Sequence, residues 1–521
     1  MKMKKGLKYI WITILLFSLI VPMFNSQAKA AEQMNPKHEM RAAWIATVQN
    51  IDIRSGMNET AYTAWVVETL DFLKGKNFNA IIYQVKPTSD TFYPSNIDPW
   101  SKYITGKSQD TDPGYDPLAI MIEEAHNRGI EVHAWVNPYR ITMPGETLES
   151  LADKNVAKKN PEWVVYHGRQ YYLNPGIPEV RDYLISVVEE LVENYDIEAV
   201  HMDDYFYPYR IAGQEFPDEE QYELYGEGFD HIDDWRRDNV NRLVADLNNA
   251  IKNKKEWVQF GISPFGVWRN IANDPTGSRT TAGQTNYDDL YADTRQWIKD
   301  GSIDYITPQI YWSRGFAAAD YTILLDWWSN EVNTYAYNTP VNLYIGTADY
   351  KVADNFDQNW YNPYELAGQI LDNRANGTAL GQMHFSLRQI IKNNIGYANI
   401  LENEIYTTKA ITPATPWNND SLPQKPNTVH AHKEDGQITL TIDDKKHSDA
   451  RRYVIYRFEG NKEGDYNNPA NIVDVIYTKD GVTTFTDTTI EDGKSYTYGV
   501  TSLSNTGVES KHARAVRVLN Q

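Results

Sequence analysis

Eight short runs of strand character, each followed by a longer stretch of helical character, constrain the fold of this chain more than any other feature. The runs cover residues 41–48, 79–87, 131–139, 199–207, 258–266, 304–312, 341–350 and 382–388. Between them lie helix-like segments such as 60–76, 117–128, 178–195, 232–252, 287–299 and 363–376. Several of these open on Pro or an acid and close near Gly or Asn, as helix ends do. The repeated alternation predicts an α/β fold, a (β/α)8 barrel of the TIM type with long loops, over residues 36–410. A doubly wound open sheet is the alternative. It is weakened because no Gly-rich phosphate loop follows the first strand.

Four of the runs alternate polar and apolar residues with a period of two. His133, Trp135 and Asn137 share one face of the third run, and His201 and Asp203 one face of the fourth. Thr307, Gln309 and Tyr311 do the same in the sixth, and Gln382, His384, Ser386 and Arg388 in the eighth. In a barrel these faces are expected to point inward and upward, lining one hydrogen-bonding bowl at the C-terminal mouth.

The chemistry is placed at 199–208, read Ala-Val-His-Met-Asp-Asp-Tyr-Phe-Tyr-Pro. Two adjacent acids at the exit of a buried strand are costly to desolvate unless they work there. Neighbouring strand residues point to opposite faces. Parity therefore puts Asp203 with His201 on the inner side and turns Asp204 outward, unless the chain bends. A glycosidic bond is usually cut by two flanking carboxyls. Asp349, after the seventh run, is the best-placed partner by sequence, with Asp52 and Asp90 behind it. An N-acetylated sugar offers another route, since its acetamide can attack its own anomeric carbon. The protein then supplies a proton donor and holds the acetamide, a role suited to Gln309 and Tyr311. Sequence leaves these routes open.

Trp44, Trp135, Trp268 and Trp312 lie near strand ends with Tyr205, Tyr207 and Tyr311, and can act as stacking floors for sugar rings. Asn137, Arg140, Arg269 and Asn270 are candidate contacts to sugar hydroxyls or to a carboxylate. His133, His201 and His384 come from separate strands with no close-spaced ligand pair, so zinc is the lesser reading and no metal or cofactor is expected.

The 521 residues carry a net charge of −20. Residues 1–30 contribute five lysines and no acid, which leaves about −25 on the rest. Such a surface argues against sequence-blind nucleic-acid binding. Those first 30 residues have a lysine-rich start, an apolar core and Ala28-Lys29-Ala30, the pattern of a cleaved secretory signal. An uncleaved anchor is the rival reading. The chain is expected to be secreted or cell-wall associated, monomeric, and without a stable membrane anchor after cleavage. It has no cysteine, which removes disulfides, thiol catalysis and lipidated cysteine.

Residues 411–426 read as a linker rich in Pro, Asn and Ser. From 427 to 521, β-rich runs at 438–442, 452–458, 472–477, 483–487, 495–502 and 513–518 predict a small all-β sandwich. Tyr496-Thr-Tyr-Gly-Val-Thr-Ser resembles the late strand of fibronectin type III domains, with Tyr496 in the place of their corner tyrosine. No acid–base cluster stands out there, so this part reads as a spacer or attachment module.

Several motifs together resemble the glycosyl hydrolase-like family 10 domain. They are Glu39-Met-Arg-Ala-Ala-Trp-Ile-Ala-Thr-Val, Val85-Lys-Pro, Ala134-Trp-Val-Asn-Pro-Tyr-Arg, His201-Met-Asp-Asp-Tyr-Phe-Tyr-Pro, Gly261-Ile-Ser-Pro-Phe-Gly-Val-Trp-Arg-Asn and Pro308-Gln-Ile-Tyr-Trp. Their order and spacing hold across residues 37–400. The resemblance implies a barrel and, from a Gram-negative member, hydrolysis of peptidoglycan glycan strands stripped of their peptides. That member resembles a lipoprotein, whereas this chain lacks the cysteine such anchoring needs. Carried residue by residue, the resemblance points to Asp203 and Asp204 first, then Asn137, Arg140, Arg269, Asn270, Gln309 and Tyr311. Two functions are therefore expected as rivals: a hydrolase of cell-wall glycan or of another polysaccharide, and a carbohydrate-binding or scaffold protein on a barrel that has lost catalysis.

Overall fold

The structure is a computed structural model that describes residues 35–419, 421–444, 449–479 and 482–519. The signal-like segment lies outside the described residues. No helix among the described residues is long and apolar enough to cross a membrane.

Eight parallel strands close into a barrel. They are β1 (Met40–Ile45), β2 (Ala80–Lys86), β3 (Glu131–Val136), β4 (Ala199–Met202), β5 (Gln259–Ile262), β6 (Tyr305–Ile306), β7 (Asn342–Thr347) and β8 (Ala379–His384). Each falls within or against one of the eight runs read from sequence. After each strand comes a helix: α1 (Glu59–Gly75), α2 (Pro117–His126), α3 (Pro178–Asn194), α4 (Ile232–Lys254), α5 (Thr294–Asp300), α6 (Tyr321–Tyr335), α7 (Glu365–Asn376) and α8 (Leu387–Lys392). Local chemistry sets several helix starts. Asn58 caps α1 by accepting from Ala61 N, and Asp116 caps α2 with Pro117 at its first position. β6 is short because Pro308 has no N–H to continue the ladder. Beyond it Gln309 still bridges Phe265 on one side and Gly346 on the other.

Met40, Ala42, Trp44, Ala80, Ile82, Trp135, Ala199, Tyr305, Tyr344 and Met383 fill the barrel interior. Polar side chains sit among them in matched pairs. The Tyr305 hydroxyl lies 2.8 Å from His133 Nδ1 and 3.0 Å from His201 Nδ1. Gly261 makes room for that ring, since a Cβ there would lie 1.9 Å from Tyr305 Cζ. The lower interior is thus packed core, and His133 and His201 lie within it and not at the open mouth where they were expected.

The eighth strand corrects a second expectation. Met383, not its polar neighbours, faces the interior, where Thr307 Oγ1 lies 3.7 Å from its sulfur. Gln382 and His384 point outward, behind the sheet. Gln382 Nε2 donates to the Tyr406 hydroxyl at 2.5 Å, and His384 Nε2 lies 2.9 Å from the same oxygen. The alternation is real, but Tyr406 satisfies its polar face from outside the barrel.

The C-terminal region is all-β and antiparallel. Its strands are β9 (Thr428–Glu434), β10 (Gln437–Asp443), β11 (Arg452–Glu459), β12 (Ile472–Tyr477), β13 (Val482–Asp487), β14 (Tyr496–Leu503) and β15 (Arg514–Val518). One sheet runs β9-β10-β13 and the other β12-β11-β14-β15. Leu440, Ile442, Ile455, Tyr498 and Val500 fill the core they share. The Tyr496 hydroxyl accepts from Glu491 N at 3.0 Å, a contact back to upstream backbone.

This region packs on the base of the barrel, opposite the strand ends that carry Asp203. Arg452 Nη1 lies 2.6 Å from Glu131 Oε1, with both side chains buried. Beside them Arg451 pairs with Glu198 and Asp196. The His126 ring stacks on Tyr477 at 3.9 Å. The segment read as a linker joins the same contact, with Ile411, Thr412 and Thr415 buried.

Candidate active site

A cleft of about 470 Å³ opens at the C-terminal ends of the strands. Its carboxylates come from one place. β4 stops at Met202, and Ser263 N donates to the Met202 carbonyl at 2.8 Å as the last ladder bond. Strict alternation ends there as well. Asp203 and Asp204 both reach the cleft, so the chain bends at the strand end and Asp204 does not turn outward as strict parity would have it.

Asp203 is held by donors. Asn137 Nδ2 donates to Asp203 Oδ2 at 2.6 Å and Trp135 Nε1 to the same oxygen at 3.1 Å. Tyr205 N donates to Oδ1 at 3.1 Å. Asn137 is itself fixed from behind, because Gln84 Nε2 donates to its Oδ1 at 2.6 Å. Gln84 Oε1 in turn accepts from Thr47 N and Val48 N. This relay leaves Asn137 its amide nitrogen, and only that, to offer Asp203.

Asp204 has different neighbours. The Tyr209 hydroxyl donates to Oδ2, and Gln309 Nε2 donates to Oδ1 at 3.1 Å. The same Gln309 nitrogen donates to the Ser263 carbonyl at 2.9 Å.

Burial pushes both carboxyls up from their ordinary range. For Asp203, the Arg140 charge and its three donors act against that push, so it is the member of the pair that keeps its charge. Asp204 is pushed up to about 6 by burial and then by the charge of Asp203, with Tyr209 and Gln309 opposing. Two carboxyls whose surroundings separate their proton affinities suit the roles of base or electrostatic partner and of acid.

Aromatic rings and two cations complete the cleft. Trp44, Trp135, Tyr205, Tyr209, Phe265, Tyr311, Trp312, Tyr350 and Phe385 line it, with Arg140 and Lys351. The Arg140 guanidinium lies over the Tyr205 ring, 4.3 Å from its centroid. Lys351 Nζ donates to the Tyr311 carbonyl at 2.5 Å.

Of the residues expected at the site, Trp44, Trp135, Arg140, Asp203, Asp204, Tyr205, Gln309, Tyr311 and Trp312 share this cleft, with Asn137 directly behind Asp203. His201 sits one layer lower, between Tyr305 and Ser263, where burial holds its imidazole well below its ordinary range. Arg269 and Asn270 do not line the cleft. Arg269 is tied to Asp288 at 3.0 Å and Asp274 at 3.1 Å, and Asn270 pins the 278–282 loop. Asp349 is also absent from the lining. It is buried where Thr347 Oγ1 donates to it at 2.8 Å and His384 Nδ1 lies 3.0 Å away. Asp52 accepts from Ala46 N, Ser386 Oγ and Arg388 N, and Asp90 from Thr88 and Gln109. His133 and His201 meet at Tyr305 while His384 faces Asp349, so the three do not converge on one point.

Gln84, Tyr209, Ser263, Tyr350 and Phe385 were not singled out in the sequence. Gln84 is an amide set in the otherwise largely apolar run 80–85, and that isolation is the signal that points to it. Tyr209 lies just beyond the aromatic run that follows the acids.

The model of the family described as glycosyl hydrolase-like 10 matches residues 39–362. Glycosyl hydrolase YngK of Bacillus subtilis (strain 168) is 49% identical over 506 residues, which covers 96% of this chain and 97% of that one. Glycosyl hydrolase DigH of Escherichia coli (strain K12) is 41% identical over 354 residues, covering 65% of this chain and 79% of that one.

Proposed function

The chain belongs to the glycosyl hydrolase-like 10 family, and from that premise we propose that it is an exported glycoside hydrolase of cell-wall glycan strands built from N-acetylated sugars. One observation carries the reading. Among the described residues, the carboxylates lining the cleft are Asp203 and Asp204, consecutive and from the same strand end. The walls around them are Trp44, Tyr311, Tyr350 and Phe385, with no carboxylate facing the pair across the cleft. Retaining and inverting hydrolases ordinarily flank the bond with two carboxyls. A one-sided pair favours the route in which the sugar supplies its own nucleophile.

In that route the Asp204 carboxyl gives its proton to the glycosidic oxygen as the bond from that oxygen to the anomeric carbon breaks. The acetamide carbonyl oxygen bonds to the same carbon, closing an oxazolinium ring. The Asp203 carboxylate accepts a hydrogen bond from the acetamide N–H and stabilises its growing positive charge. Water then opens the ring, and Asp204, now ionised, takes the proton from that water. The Tyr311 hydroxyl lines the cleft beside the pair and is a second group to hold the acetamide. The aromatic rings stack the neighbouring sugars. Export rests on the lysine-rich, apolar start of the chain.

The lack of a facing carboxylate also suits a second reading, a barrel that binds glycan without cutting it. Reducing-end release from peptide-free glycan strands separates the two. The hydrolase reading expects steady release by the wild-type chain and a loss of at least a thousandfold in Asp204→Asn, with glycan still bound. Binding by the wild-type chain with no new reducing ends would leave the second reading standing. A panel of other polysaccharides under the same assay tests the substrate.

A further inference from the structure

Arg140 is an anomaly among the buried arginines. Only 6% of its surface is exposed. Arg41, Arg236 and Arg452 are at least as buried, and each has a carboxylate partner at 2.7, 2.5 and 2.6 Å, from Glu39, Asp218 and Glu131. Arg140 makes no ion pair and no side-chain hydrogen bond among the described residues. The Asp203 carboxylate is near enough to feel its charge, but no hydrogen bond joins the two. Arg140 is nevertheless fixed in position. Its backbone bridges Tyr172 of the hairpin at 164–173, its carbonyl accepts from Ser89 Oγ at 3.4 Å, and its plane rests on Tyr205. The side chain lines the cleft beside Asp203. Lys351, the other cation there, already donates to a backbone carbonyl. The structure therefore holds a preorganised fork of N–H donors at the cleft wall, with no hydrogen-bonded acceptor among the described residues.

We infer that Arg140 is a specificity determinant that binds a carboxylate carried by the glycan, so that the cleft selects N-acetylated strands with a free acid substituent over neutral ones. A planar guanidinium receives a carboxylate through two parallel N–H···O bonds, and this geometry suits Arg and not Lys. A lactyl ether on the sugar provides such an acid once its peptide is gone. The same acid joined to a peptide is an amide, which has no charge for Arg140 to pair with. The inference rests on the glycan reading above. The competing role is that Arg140 serves only to keep Asp203 charged, and that role is indifferent to the substituent.

The test compares peptide-free strands that keep their lactyl carboxylates with the same strands after amidation, and with chitin oligosaccharides as a neutral N-acetylated series. Both kcat/KM and binding are measured, the latter by titration into the Asp204→Asn form so that no turnover interferes. The wild-type chain is expected to prefer the acidic strands over the amidated ones at least tenfold. Arg140→Gln is expected to bring that ratio within twofold, with Arg140→Lys between the two. An equal loss on acidic and amidated strands, or a wild-type ratio near one, overturns the inference and leaves Arg140 as a positioning residue for Asp203. Should the wild-type chain cut none of the strands, the hydrolase reading fails, while the binding ratio still decides the role of Arg140.

Discussion

The Asn137 amide nitrogen stands 2.6 Å from Asp203 Oδ2, and Gln84 fixes the orientation in which it does so. A donor aimed at a carboxylate favours its charged form. Asn137→Ala removes that donor, a hydrogen bond to a charged group worth about 1.5–3 kcal/mol, and so raises the Asp203 pKa further. The acid limb of the kcat/KM profile then moves to higher pH, and activity on the acid side of the optimum falls while the plateau is less affected. An acid limb left in place would show that Asp203 does not act as the ionised partner.

Asp204, pushed up to about 6, sets the opposite limb. As the proton donor it is active while protonated, so kcat/KM falls about tenfold per unit as pH rises above about 6. The Tyr209 hydroxyl donates to this carboxylate and favours its charged form. Tyr209→Phe therefore raises the Asp204 pKa and shifts the alkaline limb upward in pH, whatever it does to the maximum rate. A downward shift, or none, contradicts the assignment.

Glu131 and Arg452 tie the C-terminal sheets to the base of the barrel. Against the upward push of burial, the Arg452 charge and the approach of His133 hold the Glu131 carboxyl below its ordinary range. The stability this gives is present above the ordinary glutamate range and is lost as pH falls through the depressed value. Arg452→Met strands a buried carboxylate and is expected to destabilise the chain by about 3–5 kcal/mol in urea at pH 7. Adding Glu131→Gln should return part of that loss. An unchanged unfolding midpoint in Arg452→Met would mean that the two parts stand apart.

Asp349 is engaged by Thr347 and His384 away from the cleft. Asp349→Asn is expected to lower stability by about 1–3 kcal/mol, the range for disturbing a buried hydrogen-bonded group. Its kcat, measured well below the unfolding temperature, should stay within about threefold of wild type. A thousandfold fall in kcat with stability intact would restore Asp349 as a second acting carboxylate.

Much of this was legible in the chain because barrel strands are short, repeated and bounded by helix signals. The period-two pattern also placed Trp135, Asn137, Asp203, Gln309 and Tyr311 on the correct side. It failed where its own premise ended. The pattern cannot say where β4 stops, so parity alone leaves open whether Asp204 turns outward or, with the bend after Met202, into the cleft. It cannot say which side of the sheet receives a polar face, and Tyr406, 22 residues beyond His384 in the chain, drew that face outward in β8. Arg269 and Asn270 carry motif positions but hold a loop, and local spacing does not distinguish pinning a loop from touching a ligand. The docking of Arg451 and Arg452 joins residues hundreds of positions apart, a contact that no window along the chain contains.

The most direct test of the account is the dependence of bond cleavage on the acetamide. Peptide-free strands are compared before and after chemical removal of their N-acetyl groups, with reducing ends counted at pH 6 under saturating glycan. The account predicts steady cleavage of the acetylated strands and a rate at least a thousandfold lower once the acetyl groups are gone. Equal rates on the two would contradict it, since a cleft whose carboxylates stand on one side would then be cutting glycan without the nucleophile the sugar was to provide.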